Sequence, residues 1–224
     1  MLEVTNINAF YSDFHVLHDA SLKVNKGELV AVVGANGHGK STLLKAICGL
    51  TPVKTGQIQF DGQDTTTRRA PHLVSRGLVY VAEDRRLFPD MTVLENLQLG
   101  AYLAQARAQE KRNLDHVFSL YPRLAERRHQ LCRSLSGGEA QMVALGRGLM
   151  SNPTLLAIDE PSLGLAPNLT ETMLRTVSEL NREGLTVLLV EQSLALLKGM
   201  IDRVYTIEEG TVSETDTDNM QEVL

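Results

Sequence analysis

The sequence feature that most constrains the fold is a glycine-rich segment between a short apolar run and a helical pattern. Leu29–Val33 is wholly apolar, as expected for a strand that is covered on both faces in a parallel sheet. Residues 34–41 read GANGHGKS, which fits the pattern G-x-x-x-x-G-K-[ST], and a helical pattern over residues 41–48 ends before Gly49. A strand, a glycine loop and a helix in this order predict a phosphate-binding loop, because backbone N–H groups converge at the helix N-terminus.

The residues of this loop have distinct predicted roles toward a nucleoside triphosphate. Gly37 and Gly39 leave the backbone bare, so that N–H groups can approach phosphate oxygens closely. Lys40, which is also a predicted catalytic residue, would bring its charge to the β and γ phosphates. Ser41 would place its hydroxyl on Mg²⁺, and Thr42 would lie at the α phosphate. The predicted nucleotide-binding residues of the segment are Gly34, Asn36, Gly37, His38, Gly39, Lys40, Ser41 and Thr42.

Two adjacent acidic residues end a second apolar strand pattern. Residues 155–158 read LLAI and precede Asp159 and Glu160, where the chain leaves the carboxyl edge of the sheet. Asp159 would orient Mg²⁺ or its waters, and Glu160 would polarise the attacking water as a general base. Alone, this pattern fits a strand followed by a charged loop equally well. Together with the phosphate loop it predicts hydrolysis of a nucleoside triphosphate.

The remaining pattern predicts an α/β fold with two additions to a mostly parallel sheet. Residues 2–10 and 16–24 alternate apolar and polar side chains, which predicts an antiparallel β lobe at the start of the chain. Helical patterns dominate the middle of the chain and predict an inserted helical lobe. The predicted divisions of a single domain, residues 1–224, are the nucleotide-binding core with its β lobe, residues 1–84 and 150–224, and the helical lobe, residues 85–149.

Three further elements are specific enough to compare with a structure. A continuous helix is predicted over residues 93–106, and a second one over residues 194–200. The acidic end, residues 214–222, is expected to be a solvated tail.

The net charge, the apolar runs and the cysteine spacing argue against nucleic-acid binding, a membrane span and a disulfide framework. The formal net charge of −5 argues against bulk nucleic acid, because nucleic-acid binding depends on clustered Lys and Arg. The sequence starts without a basic n-region or an apolar h-region, and no apolar run approaches the roughly 20 residues of a membrane span. We therefore expect a chain that stays in the cytoplasm and acts at a membrane only through partner subunits. Cys48 and Cys132 lie far apart and are predicted to be free thiols.

A third motif lies ahead of the acidic strand end. Residues 135–141 read LSGGEAQ, and Ser136 with the bare backbone of Gly137 and Gly138 would open a helix that offers a second anion site. In isolation the motif fits an ordinary helix with a serine cap. It resembles the signature motif of ABC ATPases, with Glu139 where many members have glutamine. In that family the site meets the γ phosphate of ATP held by an opposite subunit, so the resemblance implies a homodimer or a heterodimer of related subunits, with ATP and Mg²⁺ between them.

The resemblance to ABC ATPases covers essentially the whole chain and implies three more site residues. Tyr11 matches the aromatic residue that stacks on adenine, although core packing is an alternative. Glu83 falls where most members have a glutamine that links Mg²⁺ or water to the helical lobe, and it can accept hydrogen bonds but not donate them. Gln192 falls where most have a histidine at the γ phosphate, so turnover is predicted to lack a histidine-type pH dependence near neutrality.

Several loops are similar to those of one subgroup, the smaller ATPase of branched-chain amino acid importers. The similar segments are residues 83–89 (EDRRLFP), 91–97 (MTVLENL), 161–167 (PSLGLAP) and 190–192 (VEQ). This resemblance implies transmembrane permease subunits as partners, a solute-binding protein as an indirect partner, and a location at the cytoplasmic face of the inner membrane. The candidate surface for docking on the permease is Arg85, Arg86, Leu87 and Phe88. The alternative is a surface loop with two solvated arginines and a Phe88 that faces the core.

Other classes of protein stay open at this point. Within transporters they are importers of urea or short amides and lipid exporters. Outside transport they are soluble ABC ATPases that act on DNA or translation, and phosphate-loop kinases, which would need an acceptor pocket or lid.

Overall fold

The computed structural model describes residues 1–215, and two β-sheets with surrounding helices make up this part of the chain. The strands are β1 (Leu2–Tyr11), β2 (Phe14–Val24), β3 (Leu29–Val33), β4 (Val53–Phe60), β5 (Gln63–Asp64), β6 (Leu78–Val81), β7 (Leu155–Asp159), β8 (Thr186–Glu191), β9 (Arg203–Glu208) and β10 (Thr211–Thr215). The helices are α1 (Lys40–Ile47), α2 (Ala70–Ser75), α3 (Val93–Gln98), α4 (Ala104–Arg107), α5 (Glu110–Leu120), α6 (Pro122–Glu126), α7 (Gly137–Leu149) and α8 (Pro167–Arg182). Short 3₁₀ turns lie at Leu99–Ala101, Cys132–Ser134 and Leu194–Leu197.

The first sheet is antiparallel, with strand order β2-β1-β4-β5. In β1 the buried residues Leu2, Val4 and Ile7 face the core, while Glu3 and Thr5 face outward. Residues 2–5 follow the two-residue period of a strand with one covered face. A register shift between Val4 and Ile7, where Asn6 has a positive φ of 47°, then returns Ile7 to the core face. The predicted antiparallel lobe at the start of the chain is therefore confirmed.

The second sheet carries the phosphate loop and has strand order β10-β9-β3-β8-β7-β6. The strands from β9 to β6 are parallel, and β10 adds an antiparallel edge. Every residue of β3, β7 and β8 is buried, because helices or the first sheet cover both faces. Val30 and Val32 belong to one apolar cluster, and Leu29, Ala31 and Val33 to the other. The predicted α/β class with a mostly parallel sheet is confirmed.

The helices α3 to α7 all lie in the chain between β6 and β7. Their centre is α7, whose Val143 and Leu145 are fully buried in the same cluster as Leu97 of α3 and Val117 of α5. The limits of a helical lobe at residues 85 and 149 stay a prediction.

The prediction of one continuous helix over residues 93–106 is wrong. The segment consists of α3, the turn Leu99–Ala101 and α4. Gly100 packs so closely against α7 that a Cβ atom there would collide with the carbonyl oxygen of Arg147. This contact comes from tertiary packing, which favours a tighter turn at a point where local periodicity predicts a regular helix.

Two predictions near the end of the chain also need correction. The predicted helix over residues 194–200 is only the 3₁₀ turn Leu194–Leu197, and Gly199 then adopts a φ of +76° that ends it. Part of the predicted tail is not a tail, because β10 extends to Thr215 and pairs with β9. Glu209 and Gly210 both have positive φ and connect these strands as a two-residue hairpin turn. The rest of the predicted tail lies outside the described residues.

Two predicted absences can be compared with the structure. Over residues 1–215, no helix has both the length and the apolar character needed to cross a bilayer. Cys48 and Cys132 are both buried, and both are free cysteines in the described part of the chain.

Candidate functional site

The phosphate loop connects the carboxyl end of β3 to the first residue of α1. Gly37 and Gly39 have φ values of +85° and +101°, a backbone conformation that side chains disfavour. The loop therefore turns tightly, and α1 begins at Lys40 with its free N–H groups directed at the loop. A helix N-terminus inside a glycine loop is suited to bind an anion.

Lys40 is held at the centre of the loop. Its ammonium donates to the carbonyl oxygens of Gly34 (2.8 Å) and Ala35 (3.0 Å) and lies 3.5 Å from Oδ1 of Asn36. The same nitrogen forms an ion pair with Oε1 of Glu160 at 2.9 Å, where both side chains are nearly inaccessible to solvent. Two predicted catalytic residues are thus in direct contact.

Asp159 ends β7 at the carboxyl edge of the sheet, beside the start of α1. Its Oδ1 accepts a hydrogen bond from the Ser41 hydroxyl at 3.0 Å, and its Oδ2 accepts one from the Tyr80 hydroxyl at 2.7 Å. Burial raises the pKa of Asp159, while both hydrogen bonds act in the opposite direction. Burial and the neighbouring carboxylate raise the pKa of Tyr80, so its hydroxyl keeps the donated proton.

Glu160 follows directly and changes the direction of the chain. It has a positive φ of 44°, and its N–H donates to the Val190 carbonyl at 3.0 Å. Its Oε2 accepts a hydrogen bond from the Gln192 amide at 2.7 Å. Gln192, predicted from resemblance alone, therefore lies at the carboxylate predicted to act as general base.

Sequence reasoning missed a buried carboxylate next to Gln192. Glu191 is 2% exposed and accepts hydrogen bonds from the backbone N–H (3.1 Å) and the hydroxyl (2.8 Å) of Ser162. Burial raises the pKa of Glu191, and the bonds from Ser162 oppose this shift. The signal in the sequence is a charged residue that ends the otherwise apolar run of β8. No comparable signal pointed to Tyr80.

A cleft of about 420 Å³ brings most of the predicted site residues together. Tyr11 lies at its rim and is 48% exposed, so it is not a core residue. Burial raises the pKa of Glu83, and the charges of Glu160 and Asp159 raise it further. The predicted residues that line the cleft are Tyr11, Asn36, Gly37, Gly39, Lys40, Ser41, Thr42, Glu83 and Glu160.

The donor set beside this cleft fits Mg²⁺ in the presence of a nucleotide. Among the described residues, no cluster of three or more His, Cys, Asp or Glu side chains could hold a metal by itself. Mg²⁺ is usually bound by one or two carboxylates together with substrate phosphates and waters. The carboxylate of Asp159 bonded to the Ser41 hydroxyl, with Glu83 lining the same cleft, is a donor set of this kind.

His38 and the signature segment are not among the residues that line this cleft. The backbone of His38 bonds to Ala35 and Gly210, and its side chain is not among the cleft residues. Ser136 and Glu139 cap α7 reciprocally: Ser136 Oγ accepts from the Glu139 N–H, and Glu139 Oε2 accepts from the Ser136 N–H. Ser136 and Gly137 are exposed, Gly138 is buried, and the signature residues Ser136, Gly137, Gly138 and Glu139 do not line the cleft of their own chain.

Sequence comparisons identify relatives of this chain. The profile of the family described as ABC transporter matches residues 17–163. The high-affinity branched-chain amino acid transport ATP-binding protein BraG of Pseudomonas aeruginosa is 41% identical over 217 residues, covering 97% of this chain and 93% of BraG. The probable branched-chain amino acid transport ATP-binding protein LivF of Archaeoglobus fulgidus is 34% identical, covering 98% of this chain and 93% of LivF.

Solved structures have the same fold. A nucleotide-free ATP-binding cassette from an ABC transporter superposes with a TM-score of 0.86 at 29% identity, covering 100% of this chain and 94% of that chain. A dimeric bacterial ABC transporter cassette superposes with a TM-score of 0.84 at 27% identity, covering 97% of this chain and 99% of that chain. The chain therefore belongs to the ABC transporter family, in which it is an ATP-binding and ATP-hydrolysing subunit.

Proposed function

We propose that this chain is one half of a pair of ATPase subunits that encloses two ATP molecules and powers import of branched-chain amino acids through a permease. The observation that carries the paired arrangement is the separation of two anion sites on one chain, and the proposed solute is supported by the similarity to BraG and LivF. The phosphate loop lines the cleft, whereas Ser136 and Gly137 are exposed elsewhere at the N-terminus of α7. A second subunit in a head-to-tail arrangement would bring one site of each kind to every ATP.

The contacts of Lys40 suggest how nucleotide binding prepares hydrolysis. A bound triphosphate would compete with Glu160 for the Lys40 ammonium, because both partners are anionic. Glu160 would then keep its bond from Gln192 and direct its other oxygen toward a water as general base. Ser41, Asp159 and Glu83 would hold Mg²⁺, which neutralises charge on the phosphates when it is bound.

Tyr11 and the signature residues complete the proposed site. Tyr11, at the rim of the cleft, would stack on the adenine ring. Ser136, Gly137, Gly138 and Glu139 would meet the γ phosphate of ATP on the opposite subunit. In this scheme residues 1–84 and 150–224 form the nucleotide-binding core, and residues 85–149 form a helical lobe that carries the signature.

A groove beside the edge strand β6 is the proposed docking site for the permease. It has a volume of about 330 Å³, and exposed apolar side chains from Leu50, Leu99 and Tyr102 line it together with Arg85 and Arg86. Apolar residues exposed together on one surface are typical of interaction sites. Attachment through this groove would place the chain at the cytoplasmic face of the membrane, with a solute-binding protein as an indirect partner.

The loop that carries Arg85 and Arg86 is bonded to α7. Arg85 and Arg86 both have positive φ, and the guanidinium of Arg147 donates to both of their carbonyl oxygens at 2.8 Å. Phe88 is 53% exposed, which supports its proposed docking role against the alternative of a core residue. Leu87 instead packs against the apolar core, so it is removed from the candidate docking residues.

Uptake of radiolabelled leucine, isoleucine and valine tests the proposed solute. Cells that lack the gene for this chain should lose this uptake and regain it with the wild-type gene. They should not regain it with Glu160→Gln, whereas the exposed α8 variant Glu171→Gln should restore uptake fully. Unchanged branched-chain uptake together with lost uptake of urea or short amides would contradict the solute and favour the related importers.

A further inference from the structure

Tyr80 is a residue of the site to which no role has been assigned. It lies on β6, opposite Ala157 of β7, and Asp159 lies two residues beyond Ala157 on the same face of the sheet. The small side chain of Ala157 leaves space for the tyrosine ring to extend past it. The hydroxyl then reaches Oδ2 of Asp159 at 2.7 Å.

The carboxylate of Asp159 is thereby held by two hydroxyls, one at each oxygen. Ser41 donates to Oδ1, and Tyr80 donates to Oδ2. The two donors come from different elements, α1 and β6, so together they define the plane of the carboxylate. Asp159 is 1% exposed, and solvent offers little replacement if one donor is removed.

The ring of Tyr80 has a second environment. It is one of the side chains that line the groove beside β6, together with Leu50, Leu99 and Tyr102. One side chain therefore joins the wall of the groove to the carboxylate beside the phosphate loop. A segment that enters the groove and shifts this ring would also move the donor on Asp159.

We propose that Tyr80 is a positioning residue that presets the Asp159 carboxylate for Mg²⁺ and makes its orientation sensitive to an occupant of the groove. The first half rests on the proposed metal role of Asp159, and the second half requires only that the groove be filled. Partners that orient a metal-binding carboxylate commonly change metal affinity or activity by about 10-fold or more when they are removed.

Binding of a non-hydrolysable ATP analogue tests the first half without turnover. Tyr80→Phe keeps the ring and removes only the hydroxyl, so the fold should be retained. We expect affinity for the analogue with Mg²⁺ to fall about 10-fold, and affinity in EDTA to change less than about twofold. Tyr121→Phe, which removes a buried tyrosine hydroxyl that contacts the Met173 sulfur away from the groove and the cleft, is the matched control and should change neither value. An equal loss in both conditions, or no loss, would overturn the positioning role.

A covalent occupant of the groove tests the second half in the isolated subunit. Leu99→Cys can be labelled with a bulky maleimide, because Cys48 and Cys132 are buried. Labelling should change the Mg²⁺-dependent affinity severalfold in the otherwise wild-type chain and have little effect when Tyr80→Phe is also present. Labelled Lys111→Cys, an exposed position on α5, is the control. If the label at position 99 changes the Mg²⁺-dependent affinity equally with and without the Tyr80 hydroxyl, the proposed connection between the groove and Asp159 through Tyr80 is contradicted.

These measurements separate the inference from the proposed docking role. They require no permease, so a failure of the permease to bind the groove would leave both results unchanged. Loss of Mg²⁺-dependent binding in Asp159→Asn is the positive control. If that variant binds the Mg²⁺ complex normally, the metal role of Asp159 fails and the inference fails with it.

Discussion

At the residue scale, Glu160 and Gln192 form the most consequential pair of the candidate site. The 2.7 Å bond from the Gln192 amide orients one carboxylate oxygen, while the other faces Lys40. An amide supplies this hydrogen bond at any pH, whereas an imidazole would change its charge near pH 6.5. The identity of residue 192 therefore determines whether this hydrogen-bond donor changes its charge near neutrality.

We predict that turnover of the wild-type chain has no inflection near pH 6.5, and that Gln192→His introduces one. The measurement is kcat for ATP hydrolysis in both proteins from about pH 5.5 to about pH 8.5, because this range extends about one pH unit or more to either side of the usual pKa of histidine. The exposed residue Gln105 serves as a control in Gln105→His. A histidine-type inflection in the wild type would contradict the role given to Gln192.

The buried carboxylate of Glu191 gives a second prediction at this scale. Burial raises the pKa of Glu191 in the folded chain above its pKa in the unfolded chain. The contribution of Glu191 to the free energy of unfolding is therefore present below the unfolded pKa and is lost as the pH rises through the folded pKa. Ser162→Ala removes a donor from the ionised form and should lower the free energy of unfolding by about 1–3 kcal/mol at neutral pH. The loss should shrink toward acidic pH.

Urea denaturation of wild type and Ser162→Ala at several pH values measures this effect. Ser119→Ala removes an exposed hydroxyl that bonds only to the His116 carbonyl in the described structure, and it provides the control. A loss for Ser162→Ala that grows toward acidic pH would contradict the described contact with an ionised Glu191.

At the element scale, the N-terminus of α7 combines a structural cap with a candidate binding surface. Glu139 bonds back to Ser136 and also pairs with Arg127 at 3.0 Å. Burial opposes ionisation of Glu139, but the bonds from Ser136 and the charge of Arg127 outweigh it and lower the pKa. The contribution of Glu139 to the free energy of unfolding is therefore fully present above the pKa that Glu139 has in the unfolded chain. This contribution is lost as the pH falls through the lower pKa of Glu139 in the folded chain.

Glu139→Gln should consequently reduce the free energy of unfolding by about 1 kcal/mol at neutral pH, because the ion pair with a partly exposed Arg127 is lost. The difference from the wild type should disappear in acid. Chemical denaturation at pH 7 and at the lowest pH that preserves the fold measures both values, with Glu171→Gln of α8 as control. A difference independent of pH would contradict this account.

Local patterns predicted much of the fold at this scale. The order of β3, glycine loop and α1 is set by adjacent residues, so a motif was sufficient to predict it. The break at Gly100 and the contact between Tyr80 and Asp159 depend on segments far apart in sequence, which no local period contains. The edge strand β10 was missed because only Val212 in it is apolar, although Glu209 and Gly210 form the hairpin turn.

At the scale of the whole molecule, the cleft lies at the carboxyl edge of the parallel sheet, and the groove lies beside the edge strand β6. The groove supplies an apolar surface, and the cleft supplies charge. Motifs predicted the phosphate-loop residues of the cleft and Glu160, because phosphate chemistry restricts residue types and spacing, whereas Phe14, Val16 and Leu163 of the cleft were not predicted. The groove could not be predicted in full, since Leu50, Leu99 and Tyr102 meet there only after folding.

Tyr102→Asp should weaken copurification with the permease subunits, because a charged side chain would be buried in an apolar contact. Its affinity for ATP should match the wild type. Tyr102→Phe is the matched control and should copurify normally. Undiminished association of Tyr102→Asp would contradict docking in this groove.

The central claim is that each ATP is bound by the phosphate loop of one subunit and by the signature of the other. Glu160→Gln should form a dimer with ATP and Mg²⁺, because binding persists while hydrolysis is blocked. Adding Gly137→Glu should keep the fold, since Gly137 is exposed and a Cβ atom there makes only ordinary contact with Arg85. An acidic residue is also favourable in the first turn of a helix.

The most direct test is light scattering of these two proteins at saturating ATP and Mg²⁺, together with their affinities for ATP as monomers. The account predicts a dimer for Glu160→Gln, a monomer for the double variant, and equal ATP affinity of both monomers. It would be contradicted by a double variant that still dimerises, or by one whose monomer no longer binds ATP.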